Sequence, residues 1–413
     1  MRIITLILYT MAYENRAAPA AAEVGKQTER KEKNPMKRIL ILGGGTGGTI
    51  LANILTRRLR PSEAEITLIS ASDRHFYQPA WLYIPFEKQS AKAVSRPLRN
   101  LLHRRVNLLI SNIVELDTHR NWVRLSDGAV IHYDYLVIAT GSEPVAEAVP
   151  GLRQHSTHFY TNESAQALFA ALRKFNGGRI VVGVASLPYK CPPAPLEFAF
   201  LLEDFLVRTG RRERTQLTYT YPLDRVFPVE SVAEFVQPFL NERGLTTEVP
   251  FVAKEVRPGI VVGTDGKEID FDLLVMTPPH GTAKFLQGHA IADEGGWIKT
   301  DPATLEVKGY PNLWALGDTT NLPVRKAGTA AHFEAIVVAE RIVAELRGAP
   351  PDPHRARYDG HVICFMETGH RMAARLDFDY KRPLEPGGPN LMNHYLKLVS
   401  RQAYWSHLAS GMF

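Results

Sequence analysis

The stretch RILILGGGTGGTILANILTRRL, residues 38–59, decides the fold. An apolar run, a glycine turn and an amphipathic segment follow one another in the order a βαβ unit requires. EITLIS, residues 65–70, then supplies a second strand. Gly43, Gly45 and Gly48 have the GxGxxG spacing. That spacing lets backbone approach a pyrophosphate and turns a helix N-terminus toward its charge. A glycine turn with no ligand is the alternative, and the flanking strand and helix argue against it. The second strand ends at Ser70, where dinucleotide folds usually carry an acidic residue, and Asp73 lies three positions on. Which residue meets the adenosine ribose stays open.

Two more segments extend this unit. VIHYDYLVIATGSEP, residues 130–144, is a short strand pair ending in Thr140 and Gly141. Residues 310–346 read as a strand ending in Gly317-Asp318 and then a long helix from about Gly328. Together they resemble the FAD-binding halves of the two-dinucleotide-domain flavoproteins. That resemblance implies Asp318 on the ribityl chain and the helix start aimed at the flavin pyrimidine edge. Reduction puts negative charge on that edge, which the helix start and Lys326 would stabilise. A helix cap is the other reading of Asp318.

Residues 151–295 have their own strand and helix alternation: RIVVGV, PLEFAFLLEDFLVRTG, QLTYTYP and IDFDLLVMTPP. The expected fold class is therefore α/β, with two Rossmann-like dinucleotide-binding domains and a membrane-facing C-terminal segment. The expected order is an extension at 1–35, disordered, and an FAD domain at 36–150. The inserted domain at 151–295 follows, then the return of the FAD domain at 296–347 and the C-terminal segment at 348–413.

The 413 residues are 45% hydrophobic and 22% charged, which describes a folded chain. A net charge of +6 without a dense Lys/Arg block excludes an obvious nucleic-acid binder and leaves anionic lipid or a small anion. Apolar runs fall short of the roughly 20 residues that a spanning helix needs. Cys191 and Cys364 are the only cysteines, too few for a disulfide scaffold or a zinc site of several cysteines. They suffice for one redox pair, although two unrelated packed thiols would look the same. Residues 1–35 begin MRIITLILYTMAY, which admits a secretory leader; an extension upstream of a natural start at Met36 is favoured.

The inserted domain breaks the rule at its first turn. After the strand comes GVASLPYKCPPAPLE, residues 183–197, with one glycine and four prolines. Proline has no N–H for a phosphate, so a second dinucleotide is badly served there. Cys191 occupies the place instead.

With KCPPAPLE, ILGGGTGG, FYQPAWLYIPF, KAGTAAH and the Cys364 segment GHVICFMETGHRMAARLDFDY in this order, the chain resembles the sulfide:quinone oxidoreductase family over residues 37–413. The resemblance implies non-covalent FAD, sulfide as donor and a membrane quinone as acceptor. It implies a redox pair of Cys191 and Cys364, with Cys364 on the flavin side and Glu197 moving protons. Sulfide would open the pair by thiol–disulfide exchange, which needs a thiol pKa below the free value of about 8.5. A plain helix-start charge is the other reading of Glu197. The sequence departs from bacterial members near HSTHFYTNES, where an additional cysteine is expected, and in lacking channel histidines.

The C-terminal LMNHYLKLVSRQAYWSHLASGMF, residues 391–413, interleaves apolar, aromatic and basic residues. Tyr404 and Trp405 suit a headgroup boundary, Lys397 and Arg401 suit anionic lipid, and Phe365 suits a quinone wall. A pairing surface would look the same, and a homo-oligomer stays open. Peripheral attachment on the cytoplasmic side is expected, or on the periplasmic side if residues 1–22 are a leader. His361 and Cys364 have ligand spacing without a second pair, so no metal is expected. A type II NADH:quinone oxidoreductase and the flavin subunit of a flavocytochrome c sulfide dehydrogenase are the competing enzyme readings. A flavin-binding assembly or sensor protein is the non-enzyme one.

Overall fold

The computed structural model describes residues 35–323 and 326–412. The N-terminal extension lies outside the described residues.

Strand β1 (Lys37–Leu42) has Ile39, Ile41, Leu40 and Leu42 fully buried, because neighbours cover it on both faces. It leads through the glycine turn into α1 (Thr46–Arg58). Parallel partners β2 (Ala64–Ser70), β3 (Val106–Ile110) and β4 (Tyr135–Ile138) build outward on either side. The chain then leaves this sheet and forms a second one. Its strands are β5 (Gly178–Val184), β6 (Thr215–Thr220), β7 (Leu245–Glu248) and β8 (Leu273–Thr277), all parallel in the order β7-β6-β5-β8. Helix α2 (Ala194–Arg208) follows β5.

The chain returns through β9 (Glu306–Val307) and β10 (Tyr310–Ala315), completing a six-stranded sheet in the order β9-β10-β4-β1-β2-β3. Parallel pairing of β10 with β4 places the turn after Ala315 beside the turns after β1 and β4. Ligands in such sheets bind beyond the carboxyl ends of the strands. Helix α3 (Gly328–Leu346) then packs along α1.

The last part is a hairpin, β11 (Val362–Gly369) with β12 (Met372–Phe378), edged by β13 (Glu385–Pro386) and covered by α4 (Leu391–Ala403). His370 and Arg371 have φ of 52° and 60°, the left-handed pair that matches a tight hairpin turn to strand twist. Asn390 starts α4 by accepting the Asn393 N–H at 2.8 Å. Strand alternation gives this hairpin two unlike faces. Cys364 lies opposite Leu376, while Ile363 lies opposite Asp377 and Phe365 opposite Arg375. Val362, Cys364, Leu376 and Phe378 line an apolar pocket of about 290 Å³. Glu367, Arg375 and Asp377 belong to the other face. No helix of the described residues is long and apolar enough to cross a membrane.

Candidate active site

The first glycine turn is built for backbone contact. Gly43 has φ 111°, and a Cβ there would lie 2.3 Å from the Ala139 carbonyl oxygen. At Gly48 a Cβ would lie 2.0 Å from the Gly43 oxygen. Gly45 and Gly141 have open space where a side chain would point. The backbone there is unobstructed where a side chain would stand, which lets a pyrophosphate approach closely. Ser70 is buried and its hydroxyl donates to the Ser72 carbonyl at 2.7 Å. Thr140 donates to Thr319 at 3.3 Å, pinning the β4 and β10 turns together.

A pocket of about 210 Å³ at the start of α3 is lined by Gly317, Asp318, Lys326, Ala327 and Glu334, among others. Lys326 donates to the carbonyls of Asp318 and Thr320 at 2.7 and 2.8 Å, and lies 3.7 Å from the centre of the Trp297 ring. Burial pulls its ammonium down to about 8, against the pull of Asp318. Glu334, fully buried, accepts the Gly317 N–H, and burial pushes its carboxyl up to about 7.

The second turn is different. Cys191 has φ 55°, and its N–H donates to the Lys326 carbonyl at 2.8 Å, joining the inserted domain to the start of α3. Its carbonyl accepts the Ala194 N–H at 2.9 Å, so the first amide of α2 is used within the turn. Pro192, Pro193 and Pro195 contribute none. No phosphate cradle forms here. Cys364 arrives from β11, which Thr329 of α3 holds by donating to the Ile363 carbonyl at 2.9 Å.

Both cysteines are free, partly accessible thiols packed against one hydrophobic cluster. The pocket of Cys364 is also lined by Pro192 and Pro193, the residues after Cys191. Burial first, then the Cys364 and Glu197 charges, push the Cys191 thiol up. Burial pushes Cys364 up to about 11, against the pull of Lys397 and helped by Glu197. A thiolate in this site is thus favoured by Lys397, a cation that acts on both sulfurs.

Glu197, on the first turn of α2, is only 4% exposed. It forms an ion pair with Lys397, whose ammonium also donates to the Phe365 carbonyl at 2.8 Å. Burial pushes Glu197 up to about 7; Lys397 pulls it down and Glu367 pushes it up. Beyond it, Tyr83 contacts Glu197 at 3.5 Å and Glu367 at 3.2 Å, and Glu367 pairs with His394 at 2.9 Å.

The family model for the pyridine nucleotide-disulphide oxidoreductases matches residues 37–341, covering both sheets and the helix that follows them. The chain belongs to that family. It is an oxidoreductase with the α/β flavoprotein architecture. Among curated proteins this family member is similar to the mitochondrial sulfide:quinone oxidoreductase of Mus musculus, 28% identical over 84% of this chain and 79% of the relative. The mitochondrial sulfide:quinone oxidoreductase of Dictyostelium discoideum is 25% identical over 95% and 90%. Among solved structures, the sulfide:quinone oxidoreductase of Aquifex aeolicus superposes with a TM-score of 0.83 at 23% identity, covering 91% of this chain and 92% of that one.

Two expectations for the C-terminal segment, at Tyr404 and Lys397, need correcting. Tyr404 is 5% exposed, not at a headgroup boundary; its hydroxyl bonds Thr46 at 3.1 Å and His75, closing over the first glycine turn. Trp405 is half-buried beside Tyr77 and His75, with Arg96 4.9 Å from its ring centre. Lys397 is 16% exposed and turned to Glu197 rather than to lipid, since that buried carboxylate demands a partner. The exposed apolar residues of α4 are Leu391, Met392 and Tyr395. Tyr83, Glu334, Glu367 and His394 could not be singled out from the sequence, although Tyr83 and Glu367 lie within FYQPAWLYIPF and the Cys364 segment, because each acts through partners distant along the chain.

Proposed function

We propose that this protein oxidises sulfide at Cys191 and Cys364 and delivers the electrons through non-covalent FAD to a membrane quinone. The observation that carries the reading is the second turn. Where a nicotinamide dinucleotide would need amides, the chain has prolines and Cys191, set by backbone beside the start of α3 and the Cys364 pocket.

The residues fit FAD. Gly43, Gly45 and Gly48 would take the pyrophosphate, Asp318 the ribityl chain, and α3 with Lys326 would face the ring. When bound, FAD accepts an electron pair from a thiolate and releases it to a quinone. Hydrosulfide attacks one sulfur of the oxidised pair. A new S–S bond forms, the cysteine bond breaks, and Cys191 holds a persulfide while Cys364 leaves as thiolate. Loss of two electrons and the persulfide proton closes the pair around the added sulfur. The next hydrosulfide attacks the bridging sulfur and displaces one cysteine thiolate; that thiolate then attacks the other cysteine sulfur, re-forming the Cys191–Cys364 bond and releasing HS–S⁻, while the quinone takes up two electrons and two protons. Lys397 steadies the thiolate, and Glu197 accepts the proton. Phe365 alternates with Cys364 along β11 and so belongs to the opposite face of the hairpin, which suits a wall of the quinone site.

Anaerobic mixing of purified protein with sulfide, then with decylubiquinone, tests this. The flavin absorbance bleaches with sulfide and returns with quinone, and Cys191→Ser and Cys364→Ser each slow the first step by about 10³-fold or more while retaining flavin. Bleaching by NADH but not by sulfide would replace this reading with the NADH one.

A further inference from the structure

Four buried side chains, from three separate parts of the chain, join the thiol site to the far side of the hairpin. Glu197 is on α2, Tyr83 lies in the 3₁₀ segment Gln78–Phe86, Glu367 is on β11 and His394 is on α4. All four are buried, and Glu367 is 1% exposed. We propose that Glu197, Tyr83, Glu367 and His394 form a proton relay from the sulfur pair to the face of the hairpin that α4 covers.

The topology supplies the route. β11 is the edge strand of the order β11-β12-β13, so α2 and α4 meet across its free edge. Lys397 marks the crossing, with Glu197 on one side and the Phe365 carbonyl on the other. The next step is Tyr83, whose oxygen lies 3.5 Å from Glu197 Oε1 and 3.2 Å from Glu367 Oε1. The first of these is long, as catalytic hydrogen bonds often are before substrate binds.

The chemistry of that triplet is specific. A phenol has one proton to donate, so Tyr83 bonds both carboxyl groups only if one of them is protonated and donates back. Two arrangements satisfy this. In one, Glu197 is protonated, donates to Tyr83, and Tyr83 donates to Glu367. In the other, Glu367 holds the proton and the donor directions reverse. They differ by one proton moved across the edge and a turn of the Tyr83 hydroxyl. Each end has a basic partner, Lys397 on Glu197 and His394 Nδ1 on Glu367.

The relay has a task under the proposed function, on which it rests. Each hydrogen sulfide that becomes sulfane sulfur gives up two protons on the thiol face, and each quinone reduced takes up two. The groups that bear on the shared proton are Cys191 and Cys364 of the sulfur site, Lys397 and His394 of α4, Glu367 of β11, and Tyr77 and Tyr83 at the 3₁₀ segment Gln78–Phe86.

The test uses the FAD-loaded protein and three conservative variants: Tyr83→Phe, Glu367→Gln and Glu197→Gln. Infrared titration in wild type is expected to show a buried carboxyl band that Glu197→Gln removes. Glu367→Gln shifts its midpoint to lower pH, because a neighbouring negative charge is gone. With saturating sulfide and decylubiquinone, Tyr83→Phe is expected to lower turnover about 10²-fold and change the solvent deuterium isotope effect, with thermal midpoint retained. A Tyr83→Phe protein with wild-type turnover and isotope effect overturns the relay and leaves the functional reading standing. If sulfide never bleaches wild-type flavin, the functional reading falls, and the infrared midpoint alone decides the relay: no shift in Glu367→Gln overturns it.

Discussion

At Cys191 the backbone has φ 55°, a left-handed conformation that costs an L-residue about 1–2 kcal/mol. The Lys326 carbonyl and the following prolines hold it there. This turn sets the Cys191 backbone beside the start of α3, and the Cys364 charge acts on its thiol. Both thiols are held in their neutral form by burial, so the ionisation that starts chemistry must come from neighbouring charges. Glu197, like Glu334 at the start of α3, titrates in the working range, because burial pushes each up to about 7; of the two, Glu197 is the one beside the sulfurs. Below that pH it is protonated and cannot accept a proton. At saturating sulfide, where kcat reports groups in the substrate complex rather than free sulfide, kcat should fall about tenfold per pH unit below the midpoint. Glu197→Gln should lower kcat and flatten this limb. A limb that survives in Glu197→Gln assigns the base elsewhere.

At the scale of elements, α4 is more than a surface helix. Lys397 comes from it to neutralise a carboxylate on α2 some 200 positions earlier. Removing one member of a buried ion pair leaves an uncompensated charge, at a cost of about 3–5 kcal/mol. The sign with pH follows from the raised Glu197. Lys397→Met would push it up further, so near pH 5 the carboxyl is neutral and the loss is small, while above neutral pH the full penalty applies. Thermal midpoints should therefore separate wild type from Lys397→Met much more at pH 8.5 than at pH 5. Equal separation at both would mean that packing, not charge, explains the loss. This helix also marks where sequence reading ran out. The periodicity of LMNHYLKLVSRQA identifies an amphipathic helix, but a lysine beside aromatics reads equally as a lipid contact or as an inward partner. Only the burial of Glu197 settles which. By contrast, GxGxxG, the Gly317-Asp318 turn and KCPPAPLE were legible, because each prescribes its own local geometry. Tyr83, Glu367 and His394 carry no such prescription; their pairing is made by the hairpin and by the packing of α4.

Across the whole molecule, the proposed function takes electrons from water to an apolar acceptor, which calls for a surface that meets the bilayer. The described residues offer Leu391 and Met392 at the first turn of α4, with Tyr395 a turn further on; Met392 is 66% exposed. Arg371 stacks on Tyr395 at 5.8 Å and adds positive charge beside them. Tyr404 does not contribute in the same way, since it is buried and locks the C-terminal turn onto Thr46 and His75. Burying a Leu or Met side chain in lipid is worth about 1.5–3 kcal/mol each. Replacing both with glutamate, Leu391→Glu with Met392→Glu, should weaken binding to anionic vesicles by about 10²-fold or more in a flotation assay. Raising the salt should weaken wild-type binding as well, through the basic residues. Turnover with sulfide and a soluble quinone should stay within about twofold of wild type, because neither residue belongs to the sulfur site or the relay. Unchanged vesicle binding in the double variant would move the lipid contact to another face of the protein and free α4 to serve its buried partners alone.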